Sequence, residues 1–297
     1  MRKLIKRTGL TVVFGILFGS LSCFAQVVTD TISTYRIETH DGNVYVGVIT
    51  GEDSTKVTIR TERLGELTIM RADILHITEL EGAINVKGQL WLPNPQSARY
   101  FWAPNGYGLE KGEGYYQNIW ILYNQVSVGL TKNFSLGAGM LPFFLFDGAP
   151  TPVFLVPKFS VPVVKDKFNL GAGAFLGTVL GEETGVFGLL YGTSTVGSRD
   201  RNLSFGLAYG FAGDQLMHRP ILNVSGMIRV GPRGYLVSEN YIFTGGGETF
   251  VLMSFGGRTI FRNVGLDYSL WIPFLGDVER FIAIPFLGIT LPLGHKK

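Results

Sequence analysis

Residues 185–211 read GVFGLLYGTSTVGSRDRNLSFGLAYGF, and this stretch decides the fold. In its second half Leu203, Phe205, Leu207, Tyr209 and Phe211 alternate with Ser204, Gly206, Ala208 and Gly210. In its first half Phe187, Leu189 and Tyr191 alternate with Gly188, Leu190 and Gly192. A strand sends successive side chains to opposite faces. Each half therefore has one large, oily face and one mostly small or polar face. A charged tight turn, Ser198-Arg199-Asp200-Arg201-Asn202, joins the two. This is how a hairpin in the wall of a membrane β-barrel is written.

The rest of the composition agrees. Of 297 residues, 46% are hydrophobic and 16% charged, yet no run after the N-terminus reaches the roughly 18 apolar residues that a spanning helix needs. A chain this apolar without spanning helices can still cross a membrane as a closed barrel, in which every backbone group pairs internally. The first residues read as a secretion signal. Arg2, Lys3, Lys6 and Arg7 form the positive head, Leu10–Phe18 the apolar segment, and Cys23-Phe24-Ala25 a cleavage site before Gln26. The alternatives are an uncleaved N-terminal anchor and a lipoprotein route through Cys23, for which Ser20-Leu21-Ser22-Cys23 is a poor match. Cleavage removes four basic residues and takes the formal net charge from +3 to −1. The basic balance thus belongs to the signal and gives no reason to expect nucleic-acid binding. Cys23 is the single cysteine, so the mature chain has no disulfide and no thiolate chemistry.

Outward from the hairpin, the chain divides into residues 1–25 (signal), 26–34 (polar linker), 35–80 (a small β-module) and 81–297 (the barrel). The module is more charged and poorer in glycine. It shows five short strands, with Asp41-Gly42 as a hairpin turn. Five strands in under 50 residues suggest an SH3-like or Sm-like barrel, and residues 35–80 are a candidate surface for a periplasmic protein partner. His40 and His76 lack a second ligand at metal spacing, so no metal is expected, and no cofactor either.

In the barrel, Ile84–Leu92 reads as a first strand, followed by an irregular segment, residues 93–117, expected as a long outer loop or a plug. Eleven further strand candidates run from Ile119–Leu130 to Phe281–Leu291, each about 9 to 13 residues. Their connections alternate between tight basic turns and generally longer loops, which places the tight turns in the periplasm. The expectation is an all-β fold: a transmembrane antiparallel up-and-down barrel of twelve strands, or ten. The small module and the C-terminus are then periplasmic. Prolines 142, 157, 162, 273, 285 and 292 fall inside strand candidates and are expected at strand ends, bulges or above the bilayer.

Charges placed inside a wall are the candidate site. Arg258 and Asp267 fall on the faces opposite their oily sets. With a two-residue turn at Arg262-Asn263 they become cross-strand partners in the lumen. Arg229 and Glu239 can pair similarly across a three-residue loop at Pro232-Arg233-Gly234, and Lys158 lies inward opposite Phe159 and Val161. Such charges serve either as a selectivity ring or as ion pairs that close the lumen. No nucleophile–histidine pair stands out. Gly171-Ala172-Gly173 is a small inner face, not a nucleotide loop.

Phe101-Trp102-Ala103-Pro104, Lys111-Gly112-Glu113-Gly114-Tyr115, Val156-Pro157-Lys158, Tyr191-Gly192 with Gly197-Ser198, and Ser238-Glu239-Asn240 resemble an uncharacterised group of bacterial outer-membrane barrel proteins. The style of the signal and the Gly/Phe usage suggest the Bacteroidetes. The resemblance covers residues 97–262 and implies a barrel in contact with outer-membrane lipid, with no activity to carry over. Three functions are in play: a non-enzymatic narrow passive pore for small solutes, a structural or assembly protein with a plugged lumen whose module binds a partner, and a membrane hydrolase. The first leads.

Overall fold

Two separate antiparallel sheets and one small hairpin account for the strands of the computed structural model, which describes residues 33–61, 64–79, 84–86, 89–146, 148–183, 185–245, 248–261, 264–274 and 282–293. The expected signal, most of the linker, the Arg262-Asn263 turn and the residues after 293 lie outside the described residues.

The first sheet contains β1 (Tyr35–Thr39), β2 (Val44–Glu52), β3 (Lys56–Thr61), β4 (Gly65–Met70) and β5 (Ile74–Glu79), in the order β4-β3-β2-β1-β5. Ile37, Val57, Ile59 and Ile69 form its buried centre. Gly42 takes a φ of 82° in the first turn, where a side chain would be strained. Asp53 organises the next turn, accepting from the Thr55 and Lys56 backbone N–H groups at 2.8 and 2.9 Å. Those bonds, the Thr55 N–H foremost, hold its carboxyl below the usual aspartate range.

Two short strands, β6 (Ile84–Val86) and β7 (Gln89–Trp91), pair only with each other. The expected first wall strand, Ile84–Leu92, is therefore outside the wall. Its place is taken by β8 (Gly114–Ile119). The wall continues through β9 (Tyr123–Gly129), β10 (Phe134–Met140), β11 (Thr151–Val164), β12 (Phe168–Leu180), β13 (Phe187–Ser198) and β14 (Arg201–Ala212). A two-residue strand, β15 (Gln215–Leu216), folds back on β14. The remaining wall strands are β16 (Ile221–Arg229), β17 (Gly234–Gly245), β18 (Glu248–Phe261), β19 (Val264–Phe274) and β20 (Ile284–Leu293). Each pairs with its neighbour in the chain, and β20 pairs with β8. Among the described residues, twelve antiparallel strands thus close into a barrel, the expected number with one member exchanged. The exchange has a physical cause. Ile84–Leu92 alternates like a wall strand. In β8 the outward positions are Tyr116 and Asn118, which carry no oily period, while Tyr115, Gln117 and Ile119 are buried inside.

The outer surface is apolar. Leu155, Phe159, Leu190, Phe205, Phe255, Leu270 and Leu287 all project outward, and Phe255 is 67% exposed. A continuous apolar surface of this extent suits lipid and not water. The deciding hairpin differs from the simplest reading on one side. In β14 the large residues face out, as their alternation implies. In β13 the large set faces in: Leu189 and Tyr191 share a face with buried Thr193 and Thr195. They fit because small residues stand beside them, on both sides of Tyr191 and on the β14 side of Leu189. Tyr191 lies between Gly173 and Ala208, and Leu189 opposite Gly210. Pro157, expected at an end or bulge, stands inside β11. There the ladder to β12 is interrupted between Leu155 and Lys158, where a proline has no N–H to donate.

A side chain at Gly173 would meet the Pro157 carbonyl oxygen and the Tyr191 hydroxyl, both 2.5 Å from its first carbon. Gly173→Val is expected to lower stability by about 1–3 kcal/mol, measured as the urea midpoint of the folded, heat-modifiable band. In the module, the depressed Asp53 carboxyl contributes stability that is full above the ordinary aspartate range and is lost as pH falls through its lowered folded value. NMR titration of that carboxyl should find it below an unstructured aspartate, and Asn at position 53 should remove the acid dependence of the turn.

Candidate functional site

The lumen is occupied. Residues 92–110 cannot join a ladder, because Pro93, Pro95, Pro104, Gly106 and Gly108 interrupt donors and side chains alike. Instead they fold into a compact plug among the wall strands. Tyr100 N–H donates to the Ala103 carbonyl at 3.0 Å and Asn105 N–H to that of Ala98 at 3.1 Å, closing a tight reversal around Phe101 and Trp102. Gln96, Tyr100, Phe101 and Asn105 are fully buried. The chain then leaves the lumen at the tight-turn end, where Gly129 N–H donates to the Glu113 carbonyl at 2.8 Å, and enters β8. Of the two expectations for this segment, the structure has the plug.

A backbone that runs irregularly inside a barrel leaves carbonyls and N–H groups with no ladder and little water. The inward charges of the wall answer that need. Arg258 is fully buried, and its Nε and Nη2 donate to the two Asp267 oxygens at 2.6 and 3.0 Å. Its remaining donors reach the plug: the Gln96 carbonyl at 2.8 Å, the Gln96 side chain at 2.9 Å, the Asn94 side chain at 3.1 Å and the Tyr100 carbonyl at 2.7 Å. Arg258 and Asp267 stand opposite each other in the register between β18 and β19. Lys158 donates to the Ala98 and Tyr107 carbonyls at 3.0 and 2.5 Å. Glu239 does the opposite task, accepting the Trp102 N–H at 2.9 Å.

Arg229 and Glu239 are not partners. The register sets Arg229 against Tyr235 and Glu239 against Ser225, four residues or about 13 Å along the strand. The reversal is centred on Pro232, with Val230 N–H bonded to the Gly234 carbonyl, one residue earlier than a loop at Pro232-Arg233-Gly234, and this shifts the register. Arg229 instead pairs with Asp200 at 3.0 Å and donates to the Leu92 carbonyl at 2.7 Å, between the rings of Trp91 and Tyr235. Glu239 accepts from the Tyr241 hydroxyl at 2.7 Å.

Sequence reasoning missed two basic residues. Arg199, in the tight turn, reaches inward to Ser97 Oγ at 2.8 Å and the Gly108 carbonyl at 3.0 Å. Arg99 belongs to the plug itself and lies against the Tyr115 ring. The basic character of the tight turns was the available signal for Arg199. Only the fold of the plug reveals Arg99. Hydroxyls finish the seat: Tyr100 donates to Asn202 Oδ1 at 2.6 Å and shares a bond with Ser204, and Gly106 N–H donates to Thr195 Oγ1 at 2.7 Å. Beside the plug remains a cavity of about 400 Å³ that extends from Tyr115 and Ser135 toward Phe243 and Leu252 at the longer-loop end.

No protein-family model and no curated protein matches this chain. Several solved structures are similar in fold, among them these three. OmpTdeltaL8, a loop L8 deletion mutant of the outer membrane protein OmpT of Vibrio cholerae, is 13% identical over 88% of this chain and 97% of its own, with a TM-score of 0.36. OmpT of the same organism, expressed in the outer membrane, is also 13% identical, over 88% of this chain and 95% of its own, at a TM-score of 0.33. OpdQ of Pseudomonas aeruginosa is 10% identical over 88% and 95%, at 0.36. At such values no property of those proteins transfers to this chain, and the barrel rests on its own closed sheet.

Removing one member of a buried ion pair strands the other charge. Asp267→Ala is expected to cost about 3–5 kcal/mol in urea unfolding. The double variant Arg258→Met/Asp267→Leu should not regain wild-type stability, because the Gln96 and Tyr100 carbonyls lose their donor as well. Wild-type stability in the double variant would show that Arg258 serves Asp267 alone.

Proposed function

We propose that this protein is a non-enzymatic outer-membrane β-barrel held shut at rest by residues 92–110, with the tight turns, the module and the chain's C-terminus in the periplasm. The observation that carries this reading is the Arg258 clamp, a guanidinium with no exposure whose donors are shared between the wall and the plug. It favours the plugged barrel over the passive pore. A permanently open pore would need its lumen charges facing water, whereas here Lys158, Arg199, Arg229 and Arg258 all donate to plug carbonyls. Supporting the orientation, the connections at the tight-turn end are short and that end receives the chain entering β8, an arrangement usual for the periplasmic side of such barrels. The module, which exposes Val44, Leu64, Met70 and Leu75, is the surface proposed for a periplasmic protein partner.

Single-channel recording on the refolded mature chain tests the reading. Wild type should be silent, and a variant in which residues 94–109 are replaced by a short Gly-Ser linker should show steady open steps. Steady steps from wild type would return the passive pore to first place.

A further inference from the structure

The cavity beside the plug is lined, among the described residues, by two basic side chains, Arg99 and Lys158, and by no acidic one. Among the described residues, the barrel's ion pairs are Arg229–Asp200 and Arg258–Asp267. Arg99, Lys158 and Arg199 form none, and Lys158 lies within electrostatic reach of both arginines. Glu239, the remaining buried acid, is taken up by the Trp102 N–H and the Tyr241 hydroxyl. Three basic side chains thus gather without an ion-pair partner among the described residues.

Two of them, Arg99 and Lys158, line the cavity. Arg99 is 5% exposed, and one end of its guanidinium reaches the Tyr115 hydroxyl at 3.2 Å. Its Nε and Nη2 have no partner in the protein. The Tyr191 hydroxyl and Thr193 Oγ1 are likewise buried and unpartnered, and both residues line the same cavity. Nε and one Nη present two parallel N–H groups, the fork that fits a carboxylate with two oxygens. Toward the longer-loop end the walls become apolar: Phe175, Leu189, Phe243, Leu252 and Trp271. The volume of about 400 Å³ falls within the range of about 300–1,000 Å³ common to small-molecule sites.

We infer that this cavity binds a small amphipathic carboxylate. The head sits on the free edge of Arg99, with Tyr191 and Thr193 hydroxyls beside it. The apolar body lies against Phe175, Leu189, Phe243 and Trp271. A bare inorganic anion would satisfy the cations and leave the apolar half unfilled. A neutral apolar molecule would fill that half and leave Arg99 unpaired. The inference rests on the plugged reading, since Arg99 is a plug residue.

The test uses the full mature chain in lipid nanodiscs, with Trp102 and Trp271, which both line the cavity, as fluorescent reporters. The probes are 4-phenylbutyrate, its neutral alcohol 4-phenylbutanol, and inorganic phosphate. Saturable binding of 4-phenylbutyrate is expected, at least tenfold tighter than either other probe, and at least tenfold weaker in Arg99→Gln. The double variant Tyr191→Phe/Thr193→Val keeps every charge and is expected to weaken binding several-fold, which preserves the test if Arg99→Gln does not fold. Equal binding of the alcohol would reduce the cavity to an apolar sink, equal binding of phosphate would make it an anion site only, and no saturable change would leave it without a ligand of this class; each overturns the inference. Conductance of the same preparation separates the two readings. A silent barrel that ignores 4-phenylbutyrate loses only the ligand site, whereas a conducting one loses the plug, and the site's floor with it.

Discussion

Everything in this barrel's interior depends on one buried guanidinium. Arg258 has no exposure, and an uncompensated charge at that depth would cost several kcal/mol. It is compensated twice: by Asp267 across one strand pair and by the carbonyls of a segment that is not part of the wall. The wall thus needs the plug to satisfy its arginine, and the plug needs the arginine to satisfy its backbone. Lys158, Arg199, Arg229 and Glu239 repeat the exchange at other points around the lumen. Side-chain charges do here what a ladder does in a strand.

The same economy of space shapes the wall. Its outer face carries large apolar residues for lipid. Its inner face carries glycine and serine wherever a plug residue or an inward aromatic must pass. Gly106 lies so close to β12 that a side chain there would meet the Asn169 carbonyl at 2.5 Å, and Gly173 makes room for Tyr191 in the same way. Aromatic residues fill the middle of the lumen, where Phe101 of the plug packs on Phe286 with ring centres 5.3 Å apart and Tyr123 stacks on Phe154 at 4.8 Å.

Much of this was legible in the sequence. Period-two alternation locates eleven of the twelve wall strands, because a lipid-facing strand must show its oily side at every second residue. The opposition of Arg258 and Asp267 follows from the same arithmetic and a two-residue turn. The signal failed where the period did not carry the burial. β8 faces outward with Tyr116 and Asn118, so it does not look like a wall strand, and Ile84–Leu92 does without being one. The inward turn of Leu189 and Tyr191 could not be read from β13 alone, since it depends on glycine and alanine in the neighbouring strands. The Arg229–Glu239 partnership failed by a register shift that depends on which residue the reversal is centred on, Pro232 and not Arg233. Arg99 gave no signal, because its burial exists only once the plug has folded.

The central claim is that residues 94–109 are seated in the lumen at rest. Hydrogen exchange of the refolded barrel in a bilayer tests it most directly. The account predicts that the backbone amides of Tyr100, Trp102, Asn105 and Gly106, each bonded inside the lumen, exchange as slowly as those of β13 and β14. Exchange of these amides at the rate of the loop from Gly213 to Arg219 would show a plug that is not held, and would contradict it.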